Sequence, residues 1–294
     1  MNALDREGVH QKLFFNGSFF RLNRFFFSAI DFCLWDIAGK AFEQPIYKVA
    51  GGYRETLRAY ASSMAYTTIE EYLEDVQKAA DLGFTAFKLH GFNVAKKDIE
   101  LCEAVRAKFP KMDFMLDCLC AYNLKEALAV GRVLDRCGFY WYEDPMREEN
   151  HEGYAILRQK IDTPVASTEL NQIGLLDYQN FIKMKSTDIV RTFGDYMGGI
   201  TPMLKTAHMC EAFFLKCEPH SFGPALIQAA HFHVMLSIHN CDFFEAPVPE
   251  GILDFGMKEG IKVDKKGYVS APTKPGIGYD IDFDWIDDNL DRIF

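Results

Sequence analysis

The sequence predicts an α/β protein built on a (β/α)8 TIM-type barrel, with a helical segment before it and an irregular tail after it. Three observations predict this. Short apolar, β-branched or aromatic runs recur eight times, at intervals of 24 to 29 residues. Stretches of helical periodicity separate them. No GxGxxG or other glycine-rich phosphate turn follows the first run, which argues against an open doubly wound sheet. A strand, a turn, a helix and a second turn fill about that much chain, because a parallel crossover takes a dozen residues or more. Eight parallel strands, covered by helices, close such a barrel.

Residues 1–55 carry a helical run, Phe27 to Ala41, and then Gly51-Gly52. The barrel is expected over 56–246. Its strands are placed at Leu57–Ser62, Phe84–His90, Asp113–Asp117, Phe139–Glu143, Pro164–Ala166, Thr187–Arg191, Phe214–Cys217 and Asp242–Glu245. Between the first two, Ile69, Tyr72, Leu73, Val76 and Ala79 share one helical face, and Gly83 closes the helix. Asp98 to Phe109 repeats the spacing. Leu124 to Cys137 does so again and stops before Gly138. Leu204 to Phe213 is a further helix. Residues 247–294 form a Pro- and Gly-punctuated segment with an acidic end, expected to pack back beside residues 1–55.

Composition narrows the function. Hydrophobic residues make up 49% of the 294 and charged residues 25%, the balance of a globular protein rather than a disordered one. A net charge of −10 argues against a nucleic-acid groove, which needs clustered Lys and Arg. No run of about 18 apolar residues is present to span a membrane. Met1 to Arg24 mixes charges with Phe and does not read as a secretory signal. The eight cysteines contain no CxxC pair and read as reduced thiols of a cytoplasmic protein. Cys118 and Cys120 lack the second pair that a zinc site needs.

Three acids stand at matching depth. Asp117 ends the third strand, Glu143 ends the fourth and Glu169 follows the fifth, with both spacings equal to 26 residues. Strand C-termini gather at one rim of a barrel, where active sites lie. Carboxylates held that close repel unless a cation neutralises them. All-oxygen ligation favours a hard divalent ion, Mg²⁺ first and Mn²⁺ next. At the same rim, period-2 alternation sends Lys88 and His90 to one side, inward. A lysine within an apolar strand implies a polar cavity. His220 follows the seventh strand and Glu245 ends the eighth. Strands two and seven lie on either side of the triad, so His90 and His220 become proton-transfer candidates on opposite faces of a substrate. His231 and His233, two apart on a helix, point apart and make no metal pair. Phe25-Phe26-Phe27 reads as core or as the interface of a homo-oligomer.

The ordered set Ala29-Ile30-Asp31, Leu34-Trp35-Asp36, Gly39-Lys40, Gly51-Gly52, Lys88-x-His90, Asp117, Glu143-Asp144-Pro145, Glu169, Gly198-Gly199-Ile200-Thr201, His220 and Pro275-Gly276-x-Gly278 resembles the enolase superfamily, mandelate racemase subgroup, from about Phe25 onward. The resemblance implies a modified barrel that binds Mg²⁺ through Asp117, Glu143 and Glu169. It implies removal of the proton α to a substrate carboxylate, through an enediolate. In members that dehydrate aldonic or aldaric acids, a β-hydroxyl then leaves and a 2-keto-3-deoxy acid forms.

Matched position by position, Lys88 touches the substrate carboxylate or enediolate, His90 stands where many relatives place a lysine base, and Glu245 hydrogen-bonds the enediolate. His220 matches the histidine of the opposite face. Two departures are visible. Five residues before Gly198-Gly199, where the family carries an Asp partner for that histidine, stands Phe193; Asp195 lies in a different register. His90 is therefore the expected base and His220 the acid for the leaving hydroxyl. Residues 1–55 correspond only to the end of the family's N-terminal capping domain. The expected function is a Mg²⁺-dependent acid-sugar dehydratase acting on a small-molecule substrate. The alternatives are a racemase or epimerase using the same enediolate chemistry, and a truncated, metal-binding but catalytically impaired homologue.

Overall fold

Three helices precede the barrel: α1 (Arg6–Phe20), α2 (Phe25–Ala41) and α3 (Ile46–Val49). The barrel strands are β1 (Thr56–Ser62), β2 (Ala86–His90), β3 (Asp113–Asp117), β4 (Trp141–Glu143), β5 (Val165–Ser167), β6 (Ile189–Thr192), β7 (Lys216–Pro219) and β8 (Phe243–Pro247). Between them run α4 (Ile69–Leu82), α5 (Ala95–Lys108), α6 (Leu124–Cys137), α7 (His151–Arg158), α8 (Leu175–Lys183), the short α9 (Gly194–Met197), α10 (Ile200–Ala212) and α11 (Ala225–Ser237). A ninth strand, β9 (Tyr268–Ser270), pairs antiparallel with β1, and α12 (Phe283–Asp288) follows. The structure, a computed structural model, describes residues 2–20, 24–170 and 174–290. Parts of the expected end segments, residues 1, 21–23 and 291–294, lie outside the described residues.

The strands run in the order β7-β6-β5-β4-β3-β2-β1-β8, and the eight are parallel, as expected for the barrel. Among the described residues no backbone ladder joins β7 to β8. Side chains bridge that seam instead. The Glu218 carboxylate accepts from the Asp242 N–H at 2.7 Å and the Phe243 N–H at 3.2 Å. The Ser221 hydroxyl donates to the Glu245 carbonyl at 2.8 Å.

Local chemistry sets the element ends. Thr68 and Glu71 form a reciprocal capping box on α4, and Asn123 with Glu126 forms another on α6. Gly83 closes α4 at φ 106°, and a Cβ there would meet the Lys265 carbonyl at 2.3 Å. The Phe84 N–H still bonds to the Ala79 carbonyl, so β2 starts at Ala86 and not at Phe84. Phe214 sits at φ 57° in the turn before β7, almost wholly exposed, and that strand likewise starts two residues later than expected. α10 begins four residues before Leu204, because Pro202 is tolerated in a first turn.

The N-terminal helices are tied to the barrel by buried polar contacts. Asp31 of α2 accepts from the Thr201 N–H at 2.9 Å and its hydroxyl at 2.6 Å, and the Trp35 indole donates to the same hydroxyl at 2.9 Å. The turn at Gly276 exchanges backbone hydrogen bonds with Gln44 and Ile46. His233 joins the same region: its Nδ1 accepts from the Tyr47 N–H at 3.1 Å, and its Nε2 donates to the Ile277 carbonyl at 2.9 Å. That ring is held neutral within the structure, with burial pushing its pKa down to about 4.

Alternate residues along the strands build the barrel interior in layers. Tyr60, Ala86, Met115, Trp141, Ala166, Ile189 and Phe243 form one apolar layer. Two residues further toward the C-terminal rim, Ser62, Lys88, Asp117, Glu143, Arg191 and Glu245 form a polar layer, all of them buried. The apolar floor fixes the register. The polar layer above it lies at the C-terminal rim.

Candidate active site

The three predicted acids converge. One carboxylate oxygen each from Asp117, Glu143 and Glu169 lies within 4.8 Å of the others, and all three residues are buried. Asp117 and Glu143 are register partners at the ends of β3 and β4. Glu169 follows β5 after Thr168, whose φ of 87° turns the chain over the rim.

Two cations stand against these acids. Lys88 Nζ lies 2.8 Å from Glu245 Oε1, 3.2 Å from Glu143 Oε2 and 3.7 Å from Asp117 Oδ2. Arg191 reaches Glu143 Oε1 from Nε at 2.7 Å, and Glu245 Oε2 and Glu169 Oε2 from Nη2 at 2.9 and 3.3 Å. The Trp141 indole donates to Glu143 Oε2 at 2.8 Å. Glu245 also accepts from the Ser62 hydroxyl at 2.9 Å and the Ser221 N–H at 3.0 Å, so donors surround both its oxygens.

The ionisation pattern follows. Burial works against charge on Glu245, but Lys88, His220 and Arg191 overcome it and hold the carboxyl well below its usual range. Burial opposes ionisation of Asp117 too, and the His90 hydrogen bond and the Lys88 charge outweigh it. Lys88 and Arg191 stay charged despite burial because Glu143 and Glu245 face them. Glu169 goes the other way: burial and the Glu143 charge raise its pKa well above the usual value. Asp144, beside the triad, is raised by burial and by Glu148.

The two histidines flank the triad at opposite ends. His90 Nε2 lies 3.3 Å from Asp117 Oδ2, while its Nδ1 donates to the Ser63 carbonyl at 2.6 Å. A carbonyl only accepts, so Nδ1 carries a proton, and Nε2 faces the Asp117 carboxylate. His220 Nε2 lies 3.4 Å from Glu169 Oε1, and its Nδ1 has no partner among the described residues. Burial pushes the His220 pKa well below its usual value. Phe193 packs on that ring, and Asp195 turns to His231, with Oδ1 3.7 Å from Nε2. His231 also holds the neighbouring backbone: its Nδ1 donates to the His220 carbonyl at 2.5 Å.

Arg191, Ser62 and Trp141 escaped the sequence reading. The signal for Arg191 was present in strand parity: it stands two residues after Ile189, as Asp117 does after Met115 and Glu143 after Trp141. All eight cysteines are free, five of them buried, in keeping with the thiol reading. Among the described residues no helix is long and apolar enough to cross a membrane.

Comparison with known proteins places this geometry. The enolase C-terminal domain-like family model matches residues 71–285. An arabinonate dehydratase of Saccharolobus solfataricus is 28% identical over 260 residues, 86% of this chain and 69% of that protein. The crystal structure of D-glucarate dehydratase from Agrobacterium tumefaciens, complexed with magnesium, superposes with a TM-score of 0.91 at 34% identity, covering 99% of this chain and 81% of that one. The 3,6-anhydro-D-galactonate cycloisomerase of Zobellia galactanivorans also superposes at 0.91, with 26% identity, 99% of this chain and 84% of that one. The barrel, its rim of acids and these matches together show that the chain belongs to the enolase superfamily, in its mandelate racemase subgroup.

Proposed function

We propose that this protein removes the proton α to the carboxylate of an aldonic or aldaric acid and expels the β-hydroxyl as water, giving a 2-keto-3-deoxy acid. The observation that carries this reading is the all-oxygen triad within 4.8 Å, flanked by His90 at Asp117 and His220 at Glu169. The similarity to sugar-acid dehydratases supports it.

The donor set fits a hard divalent ion. Three anionic oxygens with no sulfur or ring nitrogen among them suit Mg²⁺, with Mn²⁺ the next choice. Asp117, Glu143 and Glu169 would hold it. When bound, such an ion supplies Lewis-acid stabilisation of charge developing on the substrate's acid group.

The chain's own residues supply the rest. Lys88, a point charge on a flexible stem, meets the substrate carboxylate. His90, its Nδ1 proton fixed by Ser63, offers Nε2 as the base for the α-proton. The electron pair of the broken C–H bond enters the carboxylate group as an enediolate, then returns to form the C2=C3 π bond as the β C–O bond breaks. His220, as the imidazolium, delivers the proton from Nε2 to the departing hydroxyl, so that water leaves and the ring is left neutral. The resulting enol tautomerises to the 2-keto acid. Glu245, enclosed by Lys88, Ser62, Arg191 and Ser221, holds the two cations in place beneath the enediolate.

Racemisation by the same chemistry needs two matched bases. The contact of His220 with Phe193, in place of a carboxylate, favours elimination. The test is an assay for 2-keto acid over a panel of aldonic and aldaric acids, with Mg²⁺ and with EDTA. Mg²⁺-dependent keto acid from at least one acid is expected. Loss of stereochemistry in D₂O without keto acid would select the racemase, and no α-exchange from any acid would remove both.

A further inference from the structure

Arg191 is wholly buried, and its guanidinium contacts Glu143, Glu169 and Glu245, while Nη1 donates to the Glu218 carbonyl at 3.0 Å. We propose that Arg191 is a fixed counter-ion of the acid cage, taking up one of its negative charges, and that it sets how tightly a divalent ion is held there. This rests on reading the triad as a metal site.

Charge counting gives the stoichiometry. Once ionised around a bound ion, Asp117, Glu143, Glu169 and Glu245 bring four negative charges, and Lys88 and Arg191 bring two positive ones. The remaining two negative charges are balanced by one divalent ion. A second would leave an excess positive charge in a buried volume, which is strongly unfavourable.

Geometry separates the two cations. The planar fork of Arg191 is committed on three sides to protein oxygens, and its carbon lies 5.8 Å over the Trp141 ring. It cannot swing toward a substrate without breaking those bonds. Lys88 meets its acids through a single ammonium nitrogen on an unbranched stem. Arg191 is thus a positioning residue. Its fixed charge stands against Glu143, Glu169 and Glu245 and opposes the ion those acids attract.

The sign of one affinity change tests this. Mn²⁺ is titrated into the full chain and free Mn²⁺ is read by electron paramagnetic resonance, for wild type, Arg191→Gln and Arg191→Lys. The expected result is one ion per wild-type chain, binding at least about tenfold tighter in Arg191→Gln, and Arg191→Lys within about threefold of wild type, because a unit positive charge a few ångströms away is lost only in the first. Unchanged or weaker binding in Arg191→Gln, or two ions per wild-type chain, would overturn the counter-ion role and leave the metal site standing. Wild type that binds no Mn²⁺ would remove the metal reading itself. If Arg191→Gln does not fold, the stoichiometry and Arg191→Lys decide: two ions, or an affinity outside the threefold window, contradict the proposal.

Discussion

The rings of Phe193 and His220 face each other with centroids 4.2 Å apart and planes inclined by 44°. The phenyl group packs on the imidazole without hydrogen-bonding it. Phe193→Asp places a carboxylate beside the ring, fixing its tautomer and raising its basicity. Deuterium exchange at the α-carbon through the His220 face is expected to rise about tenfold or more in D₂O. No change would show that His220 does not pair through position 193.

His90 is held by one hydrogen bond to Ser63 while its other nitrogen faces Asp117. His90→Asn keeps a polar group of similar reach and removes the base. It is expected to lower α-proton exchange by about 100-fold or more, the usual scale of general base catalysis, and to leave Mg²⁺ affinity within about threefold. Wild-type exchange in this variant would assign the base elsewhere.

Asp195 and His231 make a buried pair whose facing atoms, 3.7 Å apart, have no hydrogen-bond partner. Burial raises the Asp195 pKa to about 7 and lowers that of His231 to about 4. A raised folded pKa means that the folded state holds the proton more tightly than the unfolded chain. This contribution to stability is complete below the unfolded value near 3.9 and is lost as the pH rises to about 7. Asp195→Asn is neutral throughout and removes that loss. Urea unfolding at acid and neutral pH should show wild type losing about 2–4 kcal/mol relative to the variant over that window. An equal difference at both pH values would contradict the raised pKa of Asp195.

Asp31 receives both the N–H and the O–H of Thr201 and thereby ties α2 to α10. Asp31→Ala leaves those donors buried without their acceptor. A loss of about 2–4 kcal/mol in unfolding free energy is expected, measured by urea or thermal denaturation. A loss below about 0.5 kcal/mol would show that the tie contributes nothing.

The triad was legible because its members sit at strand ends with a constant spacing, and barrel geometry converts equal spacing into convergence. Lys88 was legible because an ammonium inside an apolar strand demands a polar cavity. Arg191 was not, since an arginine at the end of a strand ordinarily reaches solvent, and only the interior parity of Ile189 marks it. Phe193 was visible as a departure, but its contact with His220, and the pairing of Asp195 with His231, depend on how β6 turns into the short helix α9. The β7–β8 seam was hidden for a related reason. It is closed by the carboxylate of Glu218 and not by a ladder, and alternation does not report which side chain reaches a neighbouring backbone.

Asp117, Glu143 and Glu169 are proposed to hold one divalent ion together. Calorimetric titration of Mg²⁺ into wild type and Glu143→Gln tests it most directly. One site in the wild type, lost in the variant while the fold is retained, is the predicted result. The same affinity in both proteins would place the ion elsewhere and contradict the claim.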